Sequence, residues 1–429
     1  MKGKKILFAC VPADGHFKPL SKVAKYYMDC GADVRWLVSD IYAAELAKLG
    51  IRHYPLVKTL DINANNIADL VPEIRTNDHL RRMTLYRIQY AKRSIEYYHD
   101  IKAIRDSFQF DLMIVDSLFP AIPFIKPLLQ VPVVAIGVVP LAENSIDTAP
   151  YGLGLLPPKN DPERTLYKRL YQEMPNKTQE ATEIFAELLQ QEGIPYGGLT
   201  IENTLIKAAD LYLQIGVPEF EYYRSDLGNN IKFIGSLLNI QSDKNDSWHD
   251  DRLKSYKKVA LVTQGTVEGD STKLLEPTIA AFMNTDILLI VTTGGKSTMR
   301  LREMYLAPNV IVEDYIPFNQ IMKHVDVYIT NGGYGGATLS IMHRVPMITA
   351  GLHEGKNEIC ARVEHFGIGI NLNTEHPAPE RIREAFDEIA KSNNYKNKIS
   401  ALADIYERYD SLKVIDHYVY PLLNIKDPS

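Results

Sequence analysis

The chain has 429 residues, of which 45% are hydrophobic and 24% charged, and carries a net charge of −5. That is the balance of an ordinary globular protein, and it gives no dedicated surface for nucleic acid or an anionic membrane. Single cores stop growing near about 250–300 residues, so two or three domains are expected.

The opening stretch MKGKKILFACVPADGH holds an apolar run of about seven residues, too short for a signal peptide or a membrane span. A cytoplasmic protein without membrane insertion is expected. Cys10, Cys30 and Cys360 are scattered, with no CxxC or metal-ligand spacing, and read as free thiols.

Residues 5–11 form the first predicted strand. After a loop comes FKPLSKVAKYYMDCG, where Leu20, Val23, Ala24, Tyr27 and Met28 recur at helical spacing before Gly31 closes the turn. Strands follow at 34–38, 111–117 and 131–137, with one long helix predicted over 81–108. The Pro- and Gly-rich segment 149–162 reads as a loop. Apolar strands alternating with helices imply a parallel sheet covered on both faces.

A second series of strands begins after the polar stretch NIQSDKNDSWHDD: 258–266, 287–295, 309–317, then DVYIT and VPMIT. The expectation is an α/β chain of two doubly wound domains, at 1–238 and 253–398, joined by a linker at 239–252. Such sheets bind ligands outside the carboxyl ends of their strands, so two of them facing each other make a cleft.

Several strand ends carry candidate chemistry. NGGYGGAT places Gly332, Gly333, Gly335 and Gly336 between a strand and an apolar helix, where backbone N–H groups and the helix dipole suit a phosphate. The spacing is neither GxGxxG nor a Walker loop; a tight turn needing positive φ is the alternative, but one or two glycines would suffice for that. In TQGT, Gly265 and Thr266 end another strand of the same domain and can complete a diphosphate pocket. In DYIPFNQ, Tyr315 can stack on a base while the backbone of Ile316 reads its edge, or the ring can pack on the sheet rim.

In the first domain, His16 lies in ADGHFKP at the first strand-to-helix turn, and Asp116 ends the strand LMIVD. A carboxylate on one imidazole nitrogen leaves the other free as a general base. Asp116 capping the next helix is the alternative.

Together these pieces resemble a GT-B inverting glycosyltransferase of the nucleotide-sugar-dependent small-molecule kind, similar to plant flavonoid and bacterial macrolide glycosyltransferases. The matching stretches are GHFKP, VDS, TQGT and the run VEDYIPFNQIMKHVDVYITNGGYGGATLSIMHRVPMITAGLHEGKNEICARVEHFGIGINL. The resemblance implies two Rossmann-like domains facing across a cleft. It also implies His16 as the base, Asp116 as its support, and in-line displacement with inversion. On the donor side it implies Tyr315 and Ile316 at the base, Gly265, Thr266, Asn331, Gly332, Gly333, Gly335, Gly336 and Ala337 around the diphosphate, and Glu354, Lys356, Asn357 and Glu358 at the sugar.

Departures from the pattern bear on the donor. Asn331 stands where many relatives have histidine, Gly335–Gly336 replaces an Asn-Ser pair, and Leu339 replaces a ribose-binding glutamate. UDP-glucose is the leading donor, with another UDP- or TDP-sugar open. No DxD is present, and the family manages leaving-group charge without a metal; no cofactor is expected. The first domain is expected to take a small lipophilic or aromatic hydroxylated acceptor, such as a flavonoid or polyketide, through Phe17, Tyr86, Phe119 and Tyr151. A last helix over about 399–422 is expected to return and brace the first domain, as in similar proteins. The rival readings are a UDP-sugar epimerase, a nucleotide-sugar or metabolite binder without catalysis, and a nicotinamide dehydrogenase, for which PADGHF lacks the glycine pattern.

Overall fold

The computed structural model describes residues 1–63, 65–76, 78–238, 248–265, 268–353 and 355–425, the side chains at positions 79, 80 and 175–177 excepted. Thr266, Glu354 and most of the expected linker lie outside the described residues.

In the first domain β1 (Lys5–Ala9), β2 (Asp33–Leu37), β3 (Arg52–Tyr54), β4 (Leu112–Asp116), β5 (Val133–Gly137), β6 (Leu211–Gln214) and β7 (Ile231–Phe233) form one sheet. The order is β3-β2-β1-β4-β5-β6-β7, with every pairing parallel. The chain's direction across the sheet reverses between β1 and β4, which opens a crevice at their carboxyl ends.

Successive side chains of β1 enter opposite cores. Ile6 and Phe8 pack with Val23 of the helix Asp14–Asp29, whereas Leu7 and Ala9 pack with Ile101 of the helix His79–Ser107. Both faces are covered, so the central strands read as unbroken apolar runs.

The second domain repeats the plan with β8 (Lys258–Thr263), β9 (Ile287–Thr292), β10 (Val310–Glu313), β11 (Val327–Thr330), β12 (Met347–Thr349) and β13 (Gly369–Asn371). Its order is β10-β9-β8-β11-β12-β13, again parallel throughout. The reversal falls between β8 and β11, so the segments that follow Thr263 and Thr330 emerge side by side.

The expected single last helix is two, Asn393–Tyr406 and Ser411–Leu422, with the Asp410 side chain capping the second through Lys413 N–H. The break has a packing cause. Ile399, Leu402 and Tyr406 belong to the second domain's core, whereas Ile415, Val419 and Leu423 join Ile6, Phe8 and Trp36 in the first domain's. Asp416 there accepts the Tyr26 hydroxyl. In the other direction, Val217 and Phe220, just after β6, pack with Val259 and Leu261 of β8. Each domain thus lends a segment to the other's core.

Candidate active site

His16 sits in the first turn of the helix Asp14–Asp29, not in the loop before it. Asp116 is the last residue of β4, the strand beside β1. The topology therefore brings the two side chains together at one crevice, with His16 Nδ1 2.8 Å from Asp116 Oδ1.

The carboxylate is fully buried and held from three directions, because its oxygens also accept Val11 N–H at 2.9 Å and Leu118 N–H at 2.8 Å. An ionised carboxylate only accepts, so the His16 proton resides on Nδ1 and the Nε2 lone pair is left exposed. Among the described residues Nε2 has no hydrogen-bond partner, and the side chain is 15% exposed. The Leu118 contact is a local turn rather than a helix cap, since the next helix begins at Ile122. Nearby, burial, reinforced by the Asp116 charge, pushes the Cys10 thiol well above its ordinary value, which leaves it a neutral core group.

Across the cleft, the glycine loop leads into the helix Tyr334–Met342. Its four glycines divide by cause. Gly332 has φ +88°, and a Cβ there would fall 2.6 Å from Cys360 Sγ; at Gly336 it would fall 2.8 Å from the Tyr328 hydroxyl. Packing alone demands those two. Gly333 and Gly335 would meet nothing within 4 Å, so they leave the backbone open to the cleft.

The helix has no side-chain cap, and the N–H groups of Tyr334, Gly335 and Gly336 find no acceptor among the described residues. Such a terminus is a ready anion site. Beside it Gly265 also has positive φ and open space, and Asn331 Nδ2 donates to Gln264 O, tying the two loops together. Tyr315 is 68% exposed, with its hydroxyl fixed on Gly294 O at 2.7 Å, so the ring offers itself to the cleft from a fixed tether.

The sequence model of the family described as UDP-glucoronosyl and UDP-glucosyl transferase matches residues 167–421, more than half of the chain. The chain belongs to this family. It is a glycosyltransferase that uses a nucleotide sugar.

Among its relatives, a 4'-demethylrebeccamycin synthase of Lentzea aerocolonigenes is 29% identical over 96% of this chain and 97% of its own length. UDP-glucosyltransferase 1 of Beauveria bassiana is 28% identical over 96% of this chain and 93% of its own. Solved structures share the GT-B fold. The glycotransferase of kitacinnamycin superposes with a TM-score of 0.79 at 17% identity, covering 99% of this chain and 100% of that one. The calicheamicin glycosyltransferase CalG4 gives 0.75 at 18% identity with both chains fully covered.

Within this transferase some expected contacts are placed elsewhere. Phe17, 1% exposed, is stacked against Tyr42 at 4.2 Å and packed on Trp36 at 4.8 Å; Phe119, fully buried, packs on Tyr97 at 4.7 Å. Neither ring is available to an acceptor, because both point into the sheet's cores. Tyr86 is 37% exposed on the long helix, and Tyr151 is half-buried with its hydroxyl beside Gly355 of the second domain. On the donor side Ala337 and the Ile316 side chain are buried, leaving only their backbones for contact. Lys356 lines a small polar pocket with Gln264, Asn331, Lys273, Glu268 and Glu375.

Glu358 is buried and accepts the N–H groups of Gly152 and Gly154 of the first domain, and half-buried Asn357 donates to Gly152 O. Sequence reasoning also missed Tyr334. This tyrosine between the glycines donates its hydroxyl to Ile215 O, just past β6, and so ties the glycine-loop helix to the first domain. The buried set Glu221, Arg224 and Arg362 was missed as well. An arginine inside the apolar run ICARV was the one available signal for it.

Proposed function

We propose that this enzyme transfers a sugar, with inversion, from UDP-glucose to a hydroxyl of a small lipophilic or aromatic acceptor such as a flavonoid or polyketide. His16 Nε2 takes the acceptor proton as the hydroxyl oxygen bonds to the anomeric carbon and the bond to the diphosphate breaks. The resulting imidazolium is stabilised by Asp116, and the UDP leaves carrying the released electron pair. Positioned base catalysis of this kind supplies about 10²–10⁴-fold.

The observation that carries this reading is the His16–Asp116 contact with Nε2 left unpartnered among the described residues. Leaving-group charge meets the uncapped N-terminus of the helix Tyr334–Met342, a preorganised electrostatic arrangement that requires no metal or cofactor. Tyr315 stacks on the uracil, and the Gly265 and Asn331 loops flank the diphosphate. Relatives named UDP-glucosyltransferase support the donor, and names that mention rebeccamycin, calicheamicin and kitacinnamycin support a natural-product acceptor.

The test is mass spectrometry of glycosides formed from UDP- and TDP-sugars with pooled phenolic and aliphatic alcohols, followed by the anomeric coupling of the product. A β-glucoside from UDP-glucose is expected. A retained anomeric configuration, or interconversion of the donor without transfer, would overturn the reading.

A further inference from the structure

Loop 149–158 belongs to the first domain but is gripped by the second. Glu358, in the first turn of the helix Lys356–His365, is 5% exposed. Its Oε1 accepts Gly152 N–H at 2.8 Å and Gly154 N–H at 2.9 Å, while its Oε2 accepts Arg362 Nη1 at 3.0 Å. Asn357 adds a bond from Nδ2 to Gly152 O at 2.8 Å.

The loop lies hard against this helix. Gly154 has φ +62°, and a Cβ there would fall 2.9 Å from the Asn357 Cβ. Two residues before Glu358, Lys356 lines the polar pocket shared with Asn331 of the glycine loop. One helix turn therefore serves the donor pocket and holds the other domain's loop.

We propose that Glu358, seconded by Asn357, is a positioning residue that sets the acceptor loop 149–158 in register with the donor site. Part of the acceptor selectivity is thereby specified from the donor domain. This rests on the glycosyltransferase reading and moves Glu358 from sugar contact to loop clamp. A carboxylate suits the position because both oxygens accept charge-assisted bonds. A glutamine must turn its NH2 toward either the two glycine N–H groups or Arg362, so one side is mismatched in any orientation.

The full chain is compared with Glu358→Gln and Gly154→Ala, which disturbs the same contact from the loop side and leaves the buried charges intact. With UDP-glucose and an accepted alcohol, the acceptor KM rises about tenfold in both variants, the equivalent of one charge-assisted hydrogen bond. The donor KM and the UDP dissociation constant stay within about twofold of wild type in both. Amide hydrogen exchange over 149–158 quickens in Glu358→Gln.

A raised donor KM with unchanged acceptor KM would return Glu358 to the sugar site and overturn the proposal, as would unaltered exchange in the loop. If Glu358→Gln does not fold, Gly154→Ala decides alone by the same acceptor-KM criterion. A wild type that transfers sugar to no alcohol would count against the glycosyltransferase reading, and the exchange comparison would still decide whether the clamp exists.

Discussion

Replacing Arg362 by methionine removes one guanidinium from the centre of the molecule while keeping most of its packing. The Arg362 side chain is 2% exposed, reaches Glu221 at 2.6 Å and Glu358 at 3.0 Å, and lies 4.2 Å above the Tyr222 ring. Its loss leaves two buried carboxylates with, among the described residues, one ion-paired cation, Arg224, 3.1 Å from Glu221. Breaking a buried pair from one side costs about 3–5 kcal/mol. At about 2–4 °C per kcal/mol for a unit of 150–250 residues, melting falls by roughly 10 °C.

The pH dependence follows with a definite sign. Burial raises the Glu221 carboxyl, but Arg362 first and Arg224 second outweigh it and hold it below its ordinary value of 4.5. A depressed carboxyl stabilises the fold above its unfolded value, and the contribution fades as pH falls through the folded one. The gap between wild type and Arg362→Met is therefore full at neutral pH and narrows on acidification below about pH 4.5. Thermal melts by circular dichroism at neutral pH and at about pH 4 measure it. A shift under about 2 °C at neutral pH, or a gap that widens in acid, would refute the electrostatic argument.

Other substitutions separate packing from binding. Gly332→Ala meets strained φ and the Cys360 sulfur, and should lose about 1–3 kcal/mol of stability in denaturant titration. Gly335→Ala should gain up to about 1 kcal/mol from helix propensity yet weaken UDP binding by calorimetry, because its methyl would enter the open space to which the proposed function assigns the diphosphate; equal behaviour of the two variants would contradict that division. Tyr315→Ala should raise the donor KM about 5–100-fold through lost stacking while leaving melting within about 0.5 kcal/mol of wild type. Transfer measured with excess EDTA should match the untreated rate, and a chelator-sensitive rate restored by Mg²⁺ would show that helix dipole and amides do not suffice.

Much of the architecture was legible because burial writes itself into composition. β4, with LMIVD inside a sheet covered on both faces, cannot be anything but a core strand. The edge strands RHY, IKF and GIN are three residues each, too short for alternation to show. The break between Tyr406 and Ser411 was invisible for a different reason: apolar periodicity continues through both helices, and only the partner core changes.

His16 and Asp116 could be paired in advance because strand ends of one parallel sheet converge. Phe17 and Phe119 could not be placed that way, since side-chain direction changes from one residue to the next. The Glu358 clamp left no trace in sequence, because its partners are backbone N–H groups of glycines some two hundred positions away. In the glycine loop two causes overlap, and letters alone cannot tell a glycine demanded by Cys360 from one left open for a ligand.

In the proposed reaction His16 removes the acceptor proton. The most direct test is the rate of glycoside formation at saturating UDP-glucose in wild type and His16→Ala, with UDP affinity measured on both. At least a hundredfold loss of transfer is expected, at the low end of what general-base catalysis supplies, with the UDP dissociation constant unchanged. Equal rates of transfer in the two proteins would contradict it.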